Sequence, residues 1–432
     1  MNIKDNSKEV VNGDIFIALG NGHNYVEEAI ANGAKQVIVE KGLYNIDTLV
    51  VNDTHAYLVN YLKENYYDSI KDINLIGVTG TNGKTTTSYL IYQALNGLNV
   101  SCAYIGTIGF YLNGERKELK NTTPDILEIY EMLLKCKEEN IQYVVMEASS
   151  QGLDMHRLDG LHFKYAIFTN LTQDHLDYHK TMNNYLKAKL KLFNISDIGI
   201  VNIDDSYSKY FIDEKSITYG KNGDYNIEQY DVSLNGLDFK VNNILYHSKL
   251  IGKHNIYNLL AVITLLSTMN LDTKIIEKLN PPIGRMDVVK KNENLIIIDY
   301  AHTPDAVEKI ISSVKELNPN KIITIIGCGG NRDKTKRPIM GNIAVNNSDH
   351  VIFTTDNPRN EDPMEIIKNM IQNIDTFNYE IIVNREKAII KGIQLLEKND
   401  ILLVLGKGHE NYQIVGNKKY DFDDKKIVLK NI

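Results

Sequence analysis

The chain has 432 residues, of which 43% are hydrophobic and 24% are charged, and its formal net charge is −7. This length exceeds what one hydrophobic core usually serves, and it predicts two to four domains of ordinary globular composition. The negative charge gives no electrostatic case for nucleic-acid binding. The scattered cysteines Cys102, Cys136 and Cys328 argue against a disulfide framework or a zinc site and fit a reducing cytosol.

The N-terminal stretch MNIKDNSKEVVNG is polar and lacks the apolar centre of a secretion signal. No apolar run approaches the length that crosses a membrane. We therefore expect a cytoplasmic protein with no membrane insertion.

Apolar runs divide the chain into three α/β segments, which predict domains at 1–70, 71–284 and 285–432. The first contains the short strands GDIFIAL, KQVIVE and DTLVV and the helix YVEEAIANGA, which predict a small α/β domain. In the second, the strands NLIGVTG, IQYVVMEAS, YAIFTNL and IGIVNID alternate with helices. Such alternation is typical of a mostly parallel sheet with helices on its faces.

The stretch VSLNGLDFKVNNILYHSKL interrupts this alternation and predicts an antiparallel meander with Asn-Gly and Asn-Asn turns. The prolines and glycine of NPPIGRMDVV then indicate a linker. Alternation resumes in NLIIIDYA, KIITIIGCGG, DHVIFTTDN, EIIVN and ILLVLGKG, which predict a second, Rossmann-like doubly wound sheet.

The stretch IGVTGTNGKTTT lies between the apolar strand INLIGV and the helix TTSYLIYQAL. A strand, a glycine-containing turn and a helix N-terminus form a phosphate-binding loop, even though Val78 stands where the common template has glycine. Lys84 would supply charge to the terminal phosphates, and Thr85 a hydroxyl to Mg²⁺. The loop therefore predicts binding of a nucleoside triphosphate.

Acids and histidines follow two strands of the same segment. Glu147 follows the run YVVM, and Asp174, His175, Asp177 and His179 follow YAIFTNL. Such side chains at the carboxyl ends of parallel strands can reach a Mg²⁺ held by the loop. Taken singly, each is also compatible with a solvated loop or a capped helix start.

Four strand ends of the third segment carry polar clusters, in IIIDYAHTPD, TIIGCGGNRDKTKRP, IFTTDNPRNED and LLVLGKGHENYQ. Open α/β sheets bind ligands beyond the carboxyl ends of their strands. The clusters contain the cations Arg332, Lys334, Lys336, Arg337, Arg359 and Lys407. This local positive charge in an acidic chain favours an anionic ligand.

Eight motifs now stand in order: GTNGKTT, MEASSQGL, TNLTQDHLDYH, YLKAKLKLF, DYAHTPDA, GCGGNRDKTKRPIMG, DNPRNEDP and GKGHENYQ. From about Asn6 to the final DFDD, the chain resembles the Mur ligases, and among them the tripeptide synthetases. The resemblance implies UDP-binding, ATPase and amino-acid-binding domains. It also implies an ATP-dependent amide ligase of peptidoglycan precursor synthesis that acts on small-molecule substrates as a monomer.

In that family, ATP phosphorylates the D-Glu side-chain carboxylate of UDP-MurNAc-L-Ala-D-Glu. An amine then attacks the acyl phosphate, and phosphate leaves from a tetrahedral intermediate. The physical reason is that phosphorylation turns the oxide of a carboxylate into a good leaving group, while phosphoryl transfer itself requires positioning and charge neutralisation.

The resemblance carries roles onto matching positions. The ATP phosphates would contact Gly80, Thr81, Asn82, Gly83, Lys84, Thr85 and Thr86. The adenine base and the ribose would contact Asn258, Arg285 and Asp299. Thr85 and Glu147 would bind a first Mg²⁺, and His175 a second. Lys189 would carry a CO₂ carbamate and, with Lys84, Glu147 and His175, form the catalytic set. Judged on spacing alone, Lys187, Lys189 and Lys191 look like solvated helix lysines.

For the nucleotide-linked dipeptide, the matching contacts are Ser7, Thr122, Thr123, Ser149 and Arg157. For the incoming amino acid they are Arg332, Asp356, Asn357, Pro358, Arg359, Gly406 and Glu410. Within the family, DNPR is associated with meso-diaminopimelate, which is lysine plus a distal carboxylate. Arg359 can grip that carboxylate bidentately, and Glu410 can receive the distal ammonium.

Some positions depart from the family pattern. The stretch ALGNGHNYV is shorter than in relatives, and Lys8 stands where arginine is common. Gln151 stands where histidine is common, Met155 where a polar substrate contact is common, and Ile283 where the family has proline. The alternatives are a folylpolyglutamate synthase, a lysine-adding ligase, a catalytically silent ATP-binding protein and a nucleic-acid-dependent ATPase. The motif DNPR argues against the first two. The presence of Lys84, Glu147 and Lys189 argues against the third, and the net charge against the last.

Overall fold

The computed structural model describes residues 1–233 and 236–432, so Asn235 of the predicted Asn-Gly turn lies outside the described residues. The chain divides into two compact units. The first contains Met1–Lys84, Leu95–Val201 and Asp205–Ile217, and the second contains Thr85–Ala94, Asn202–Asp204 and Thr218–Ile432. Among the described residues, no helix is long and apolar enough to cross a bilayer.

Strands and helices are numbered in chain order. Up to residue 202 the strands are β1 (Ile3–Lys4), β2 (Ile15–Ile17), β3 (Gln36–Val39), β4 (Asp47–Val50), β5 (Asn74–Thr79), β6 (Cys102–Gly106), β7 (Gly109–Leu112), β8 (Glu115–Lys117), β9 (Tyr143–Glu147), β10 (Phe163–Phe168) and β11 (Ser196–Asn202). The helices of this part are α1 (Val26–Ala31), α2 (Thr54–Ile70), α3 (Lys84–Gly97), α4 (Ile126–Glu138), α5 (Ser150–Asp154), α6 (Leu176–His179) and α7 (Met182–Asn194).

The remaining strands are β12 (Ile217–Gly220), β13 (Tyr225–Ser233), β14 (Gly236–Val241), β15 (Ile244–Ser248), β16 (Asp287–Lys291), β17 (Asn294–Asp299), β18 (Ile322–Ile326), β19 (His350–Phe353), β20 (Tyr379–Ile381), β21 (Ile401–Leu405), β22 (Tyr412–Val415) and β23 (Lys418–Asp421). The remaining helices are α8 (His254–Thr268), α9 (Pro304–Lys315), α10 (Lys336–Asn347), α11 (Pro363–Met370), α12 (Arg385–Gln394) and α13 (Asp424–Lys430). Short 3₁₀ helices cover Ser7–Glu9, Gly20–Tyr25, Ser208–Tyr210 and Thr273–Lys278.

The first unit contains two sheets. Strands β1 to β4 form a small parallel sheet in chain order. The larger sheet has the order β11-β10-β5-β9-β6-β7-β8, in which β11 to β6 run parallel and β7 and β8 antiparallel. Its central strand β5 is buried from Leu75 to Thr79, as expected for a parallel strand covered on both faces. The predicted mostly parallel sheet is confirmed.

In the second unit, β13, β14 and β15 form the predicted antiparallel meander. A second sheet has the order β16-β17-β21-β18-β19-β20, parallel throughout except for β16. Alternate residues of its strands enter different cores: Ile297 and Leu403 pack with α9, α10 and α11, whereas Ile296 and Leu402 pack with α12 and α13. Helices on both faces confirm the predicted doubly wound α/β sheet.

This second sheet determines where its functional loops lie. Strands β17, β18, β19 and β21 are parallel, so the segments that follow them leave from the same edge. These segments begin at Tyr300, Gly327, Thr354 and Gly406. Close packing is enforced at Gly330, where an added Cβ would lie 1.9 Å from the carbonyl oxygen of Pro358.

A buried ion pair joins α12 to α13 beneath this edge. The side chains of Arg385 and Asp424 are both 0% exposed. Arg385 Nε donates to Asp424 Oδ1 at 2.8 Å, and Nη2 donates to Oδ2 at 2.6 Å and to the carbonyl oxygen of Leu405 at 3.0 Å. Removing one partner would leave the other charge buried and uncompensated.

We expect Asp424→Ala to lower the free energy of unfolding of this unit by about 3–5 kcal/mol, measured by urea unfolding followed by circular dichroism. The matched control is Asp305→Ala, which removes an exposed pair with Lys309 and should cost less than about 1 kcal/mol. Equal effects of the two substitutions would contradict the role assigned to the buried pair.

Candidate active site

The loop between β5 and α3 has the shape of a phosphate cradle. Its conformation is fixed by two residues after β10: Thr169 Oγ1 and Asn170 Nδ2 donate to the carbonyl oxygen of Asn82, at 2.7 and 3.0 Å. Asn82 N donates in return to Asn170 Oδ1 at 2.9 Å. At Gly80, with φ of +151°, an added Cβ would lie 1.9 Å from Thr169 Oγ1, so only glycine fits.

Lys84 begins α3 and folds back over this loop. Its Nζ donates to the carbonyl oxygens of Gly80 and Thr81, at 2.8 and 2.9 Å. The positive charge therefore lies above the turn, where the backbone N–H groups of the helix N-terminus also attract an anion. Thr85 and Thr86 continue the same first turn, as predicted from the sequence.

Glu147 is the last residue of β9 and pairs with Val78 of the neighbouring strand, directly before the loop. Its side chain is buried. Oε1 accepts from the hydroxyl of Tyr104 at 2.5 Å and from Thr107 N at 2.9 Å, and Oε2 accepts from Thr107 Oγ1 at 3.1 Å. Three donors fix the orientation of this carboxylate. Tyr104 and Thr107 were not predicted from the sequence, because they belong to none of its eight motifs.

Lys189 differs from its helical neighbours. Lys187 is exposed and Lys191 pairs with Asp154 at 3.2 Å, whereas Lys189 is buried and its Nζ donates to the Gly80 carbonyl oxygen at 2.7 Å. The ring of Tyr185 lies 4.4 Å from this nitrogen. Burial, reinforced by the charge of Lys84, holds the pKa of Lys189 well below its usual value, so the neutral amine is favoured.

His175 lies close to the same loop with a left-handed backbone, φ +52°. Burial lowers the pKa of its imidazole, Asp174 raises it, and the charge of Lys84 lowers it further. The ring is half-exposed, and its neutral form keeps a lone pair for a metal ion.

The residues near the loop suit Mg²⁺. Within residues 1–233 and 236–432, no group of three or more His, Cys, Asp or Glu side chains could hold a metal ion by itself. Mg²⁺ keeps several waters and is commonly bound by one or two carboxylates together with substrate phosphates. A single fixed carboxylate, Glu147, beside a phosphate loop fits this coordination. His175 of the same unit is a further candidate ligand, and Thr85 follows Lys84 directly in the chain.

A cleft of about 1430 Å³ lies within the first unit, between the N-terminal segment and the region of α4 and α5. Ser7, which lines it, is buried, and its hydroxyl donates to Glu28 Oε2 at 2.6 Å. Lys8 lines the cleft as well. The structure therefore places the serine predicted for the UDP end in a cavity large enough for a nucleotide-linked substrate.

Arg157 also lines the cleft and connects it to Glu147. Its Nη1 donates to the carbonyl oxygen of Thr123 at 2.8 Å, and Thr123 Oγ1 donates to the Glu147 carbonyl oxygen at 2.8 Å. The hydroxyls of Thr123 and Ser149 lie 2.9 Å apart, and those of Thr107 and Thr122 3.0 Å. Four of the residues predicted for the dipeptide, Thr122, Thr123, Ser149 and Arg157, are thus linked by hydrogen bonds that pass through Thr107 and Glu147, whereas Ser7 donates to Glu28.

The three residues predicted for the base and ribose lie in the second unit. Asn258 accepts from Thr87 Oγ1 of α3 at 3.2 Å. The guanidinium of Arg285 lies 4.9 Å from the centre of the Tyr300 ring. Asp299 accepts from two backbone N–H groups; burial raises its pKa, and the charge of Arg285 opposes that rise.

The residues predicted for the incoming amino acid come together in the second unit, and we call them the acceptor pocket: Arg332, Asp356, Asn357, Pro358, Arg359, Gly406 and Glu410. Asn357 Nδ2 donates to Glu410 Oε2 at 2.7 Å, which joins the segments after β19 and β21. A Cβ on Gly406 would lie 2.6 Å from Asp356 Oδ2. A Cβ added to Gly329 would lie 3.0 Å from Arg359 Nη1 and 3.7 Å from Arg332 Cγ, so this glycine lies close to both side chains.

Arg359 has a left-handed backbone, φ +50°, which is uncommon for a residue with a side chain. The hairpin β22–β23 holds this conformation: Arg359 N donates to the Ile414 carbonyl oxygen at 3.0 Å, and Gly416 N donates to the Arg359 carbonyl oxygen at 2.7 Å. The guanidinium Nη1 donates to the carbonyl oxygens of Gly330 and Asn357, at 2.9 and 3.5 Å. The sequence analysis did not identify this hairpin.

Two of the cations that were predicted to favour an anionic ligand are instead buried and paired with carboxylates. Arg337 is fully buried and forms a bidentate pair with Glu361, at 3.0 and 2.9 Å. Lys407 is likewise 0% exposed and pairs with Glu410 at 3.2 Å. The sequence shows that these charges are present but not the direction in which they point, and the two side chains pair with Glu361 and Glu410.

We expect Gly80→Ala to weaken ATP binding at least about tenfold, because the added methyl displaces Thr169 and the loop that it supports. Isothermal titration with ATP measures this change. The matched control is Gly114→Ala, which imposes the strain of a positive φ (+83°) at a turn where an added Cβ meets nothing within 4 Å, and ATP affinity should stay unchanged there. Unchanged ATP affinity in the Gly80 variant would contradict the assignment of the loop.

Residues 78–266 match the model of the Mur ligase middle domain, and residues 284–408 match that of the Mur ligase glutamate ligase domain. A UDP-N-acetylmuramoyl-L-alanyl-D-glutamate--2,6-diaminopimelate ligase of Clostridium botulinum is 39% identical and covers 99% of this chain and 94% of its own length. A ligase with the same name from Fusobacterium nucleatum is 40% identical, with 100% and 93% covered.

Among solved structures, a ligase with the same name superposes with a TM-score of 0.73 at 33% identity, covering 100% of this chain and 94% of its own. Its match over the whole chain agrees with the two domain matches and with both sequence relatives. The ATP dependence of this family implies ATP as co-substrate and, in general, Mg²⁺. The chain belongs to the Mur ligase family.

Proposed function

We propose that this chain is an ATP-dependent amide ligase of peptidoglycan precursor synthesis. It joins meso-diaminopimelate to the D-Glu side-chain carboxylate of UDP-MurNAc-L-Ala-D-Glu and releases ADP and phosphate. The relatives that cover nearly the whole chain are named for this reaction. The observation that carries the choice of amino acid is the acceptor pocket around Arg359.

The pocket suits an amino acid with a distal carboxylate. The described hydrogen bonds of the Arg359 guanidinium both use Nη1, so the opposite edge can take a carboxylate bidentately. Glu410, on the adjoining segment, offers a carboxylate to an ammonium group. Lysine lacks the distal carboxylate and would leave the arginine charge unpaired, which a site built for hydrogen bonding rejects strongly.

The first step transfers the γ-phosphoryl group. An oxygen of the D-Glu carboxylate attacks the γ-phosphorus, the bond to the β-phosphate oxygen breaks, and ADP leaves. The Gly80–Thr86 loop would hold the phosphates, Lys84 would neutralise developing charge, and Arg157 and Thr123 would position the carboxylate. Thr85 and Glu147 would hold one Mg²⁺ and His175 a second, and the bound metal would supply further charge neutralisation.

In the second step, the amine of diaminopimelate attacks the acyl carbon and forms a tetrahedral intermediate. Collapse of that intermediate breaks the carbon–oxygen bond to phosphate, leaves the amide and releases the amine proton. The amino acid would be oriented by Asp356, Asn357 and Glu410, so that its neutral amine faces the acyl phosphate.

Lys189 is the residue proposed to carry a carbamate. Carbamate formation requires an uncharged amine, and the lowered pKa of buried Lys189 supplies one. The modification would replace a cation with an anion beside Gly80 and Lys84. We propose a monomer as the working unit, as the resemblance to the family implies. We also propose a cytoplasmic location, as expected from the sequence.

We expect Arg359→Ala to reduce kcat/KM for diaminopimelate by about a hundredfold, because a bidentate charged contact is lost, while the KM for ATP stays within about twofold. A coupled assay of ADP release under saturating dipeptide substrate measures both values. The matched control is Lys368→Ala, which removes an exposed cation on α11. Turnover of diaminopimelate at the wild-type rate in the Arg359 variant would overturn the assignment of the pocket.

A further inference from the structure

Lys407, in the segment after β21, has no role in the proposed chemistry, yet its surroundings are highly ordered. The side chain is 0% exposed. Its Nζ donates to Asn357 Oδ1 at 3.3 Å, to Glu410 Oε2 at 3.2 Å and to the carbonyl oxygen of Tyr412. An ammonium group has three donor protons, and three acceptors receive them.

These three acceptors belong to the separate segments that build the acceptor pocket. Asn357 follows β19, Glu410 follows β21, and Tyr412 begins β22, the strand that holds Arg359 through Ile414. Asn357 Oδ1 also accepts from Ile414 N at 2.9 Å. One buried nitrogen therefore ties together the segments that would present the amide, the carboxylate and the guanidinium to the amino acid.

The carboxylate of Glu410 accepts both of its described hydrogen bonds at one oxygen. Asn357 Nδ2 and Lys407 Nζ both donate to Oε2, so neither of these bonds uses Oε1. The rings of Tyr412 and Phe422, with centres 5.6 and 6.0 Å from Nζ, surround the ammonium and exclude water. Lys407 thereby fixes the carboxylate from behind while the other oxygen remains for a ligand.

Packing alone is a poor reason for such a group. Buried ion pairs can often be replaced by apolar side chains of similar volume without loss of stability, so a fully buried lysine is weak support for a purely stabilising role. A buried charge with fixed partners can instead specify one conformation. In this pocket, that conformation is the one in which Asn357 and Lys407 hold Glu410 through Oε2 and leave Oε1 for the amino acid.

We propose that Lys407 is a positioning residue that orients Glu410 and Asn357 for the distal end of the incoming diamino acid and does not itself contact it. This inference rests on the proposed function, since it concerns the same acceptor pocket. It predicts that Lys407 acts through Glu410, so substitutions at the two positions are energetically coupled.

The test is a double-mutant cycle of Lys407→Met and Glu410→Gln in the full-length protein, with KM and kcat determined for meso-diaminopimelate and for ATP. Each single variant should raise the KM for diaminopimelate at least about tenfold and leave the KM for ATP within about twofold. The double variant should resemble the more impaired single variant, because the lysine has nothing left to orient.

Multiplying effects in the double variant, or a parallel rise of both KM values with a lowered thermal midpoint, would show a general structural role and overturn the proposal. The matched control is Lys418→Met, an exposed lysine of the same hairpin, which should behave as wild type. If Lys407→Met does not fold, Lys407→Arg takes its place in the cycle, because a planar guanidinium keeps the charge but cannot meet the same three acceptors. If wild-type protein forms no product, the proposed function fails; if it does and the cycle is additive, only this inference fails.

Discussion

The carbonyl oxygen of Gly80 accepts hydrogen bonds from two lysines, Lys84 at 2.8 Å and Lys189 at 2.7 Å, and much of the first unit depends on this arrangement. Two ammonium groups on one oxygen repel each other, and burial disfavours the charge of Lys189 further. The arrangement is compatible with a charged Lys84 and a neutral Lys189. It also joins β5, the phosphate loop and α7 at one atom, and the loop in turn depends on Thr169 and Asn170 for its shape.

The two large sheets place functional residues by the same rule. Parallel strands send their carboxyl ends to one edge, so short polar segments that are distant in sequence become neighbours. In the first unit this rule brings Glu147 beside the strand that leads into the phosphate loop. In the second unit it joins the segments that carry Asn357 and Glu410. Each unit therefore carries part of the predicted site at one edge of a parallel sheet.

The fold class and the positions of most strands followed from apolar periodicity, because strands buried on both faces are continuous apolar runs. The hairpin β22–β23 was not predicted, since its strands are only four residues long, lie at half-exposed and exposed positions, and pair with Arg359 rather than with the main sheet. The supporting residues Tyr104, Thr107 and Asn170 also escaped prediction, because nothing in their local sequence indicates that they hold Glu147 or Asn82. Asn170 belongs to the motif TNLTQDHLDYH, but only the acids and histidines of that motif were interpreted as functional.

Charge was the property that sequence reasoning handled least well. Lys189 looked solvated by spacing and is buried, whereas Arg337 and Lys407 were counted toward an anionic ligand and instead neutralise Glu361 and Glu410. Sequence gives the sign of a charge but not its direction or its burial, and both are decided by tertiary packing. The resemblance to a family identified Lys189; composition and spacing could not.

The most direct test of the account is a paired ligation assay with the wild-type protein. Purified protein receives Mg-ATP, UDP-MurNAc-L-Ala-D-Glu and either meso-diaminopimelate or L-lysine, and products are identified by mass. The account predicts a tripeptide with diaminopimelate and little or none with lysine at the same concentration. Product formed only with lysine would contradict the assignment of Arg359, and no product with either amino acid, despite bound ATP, would contradict the proposed reaction.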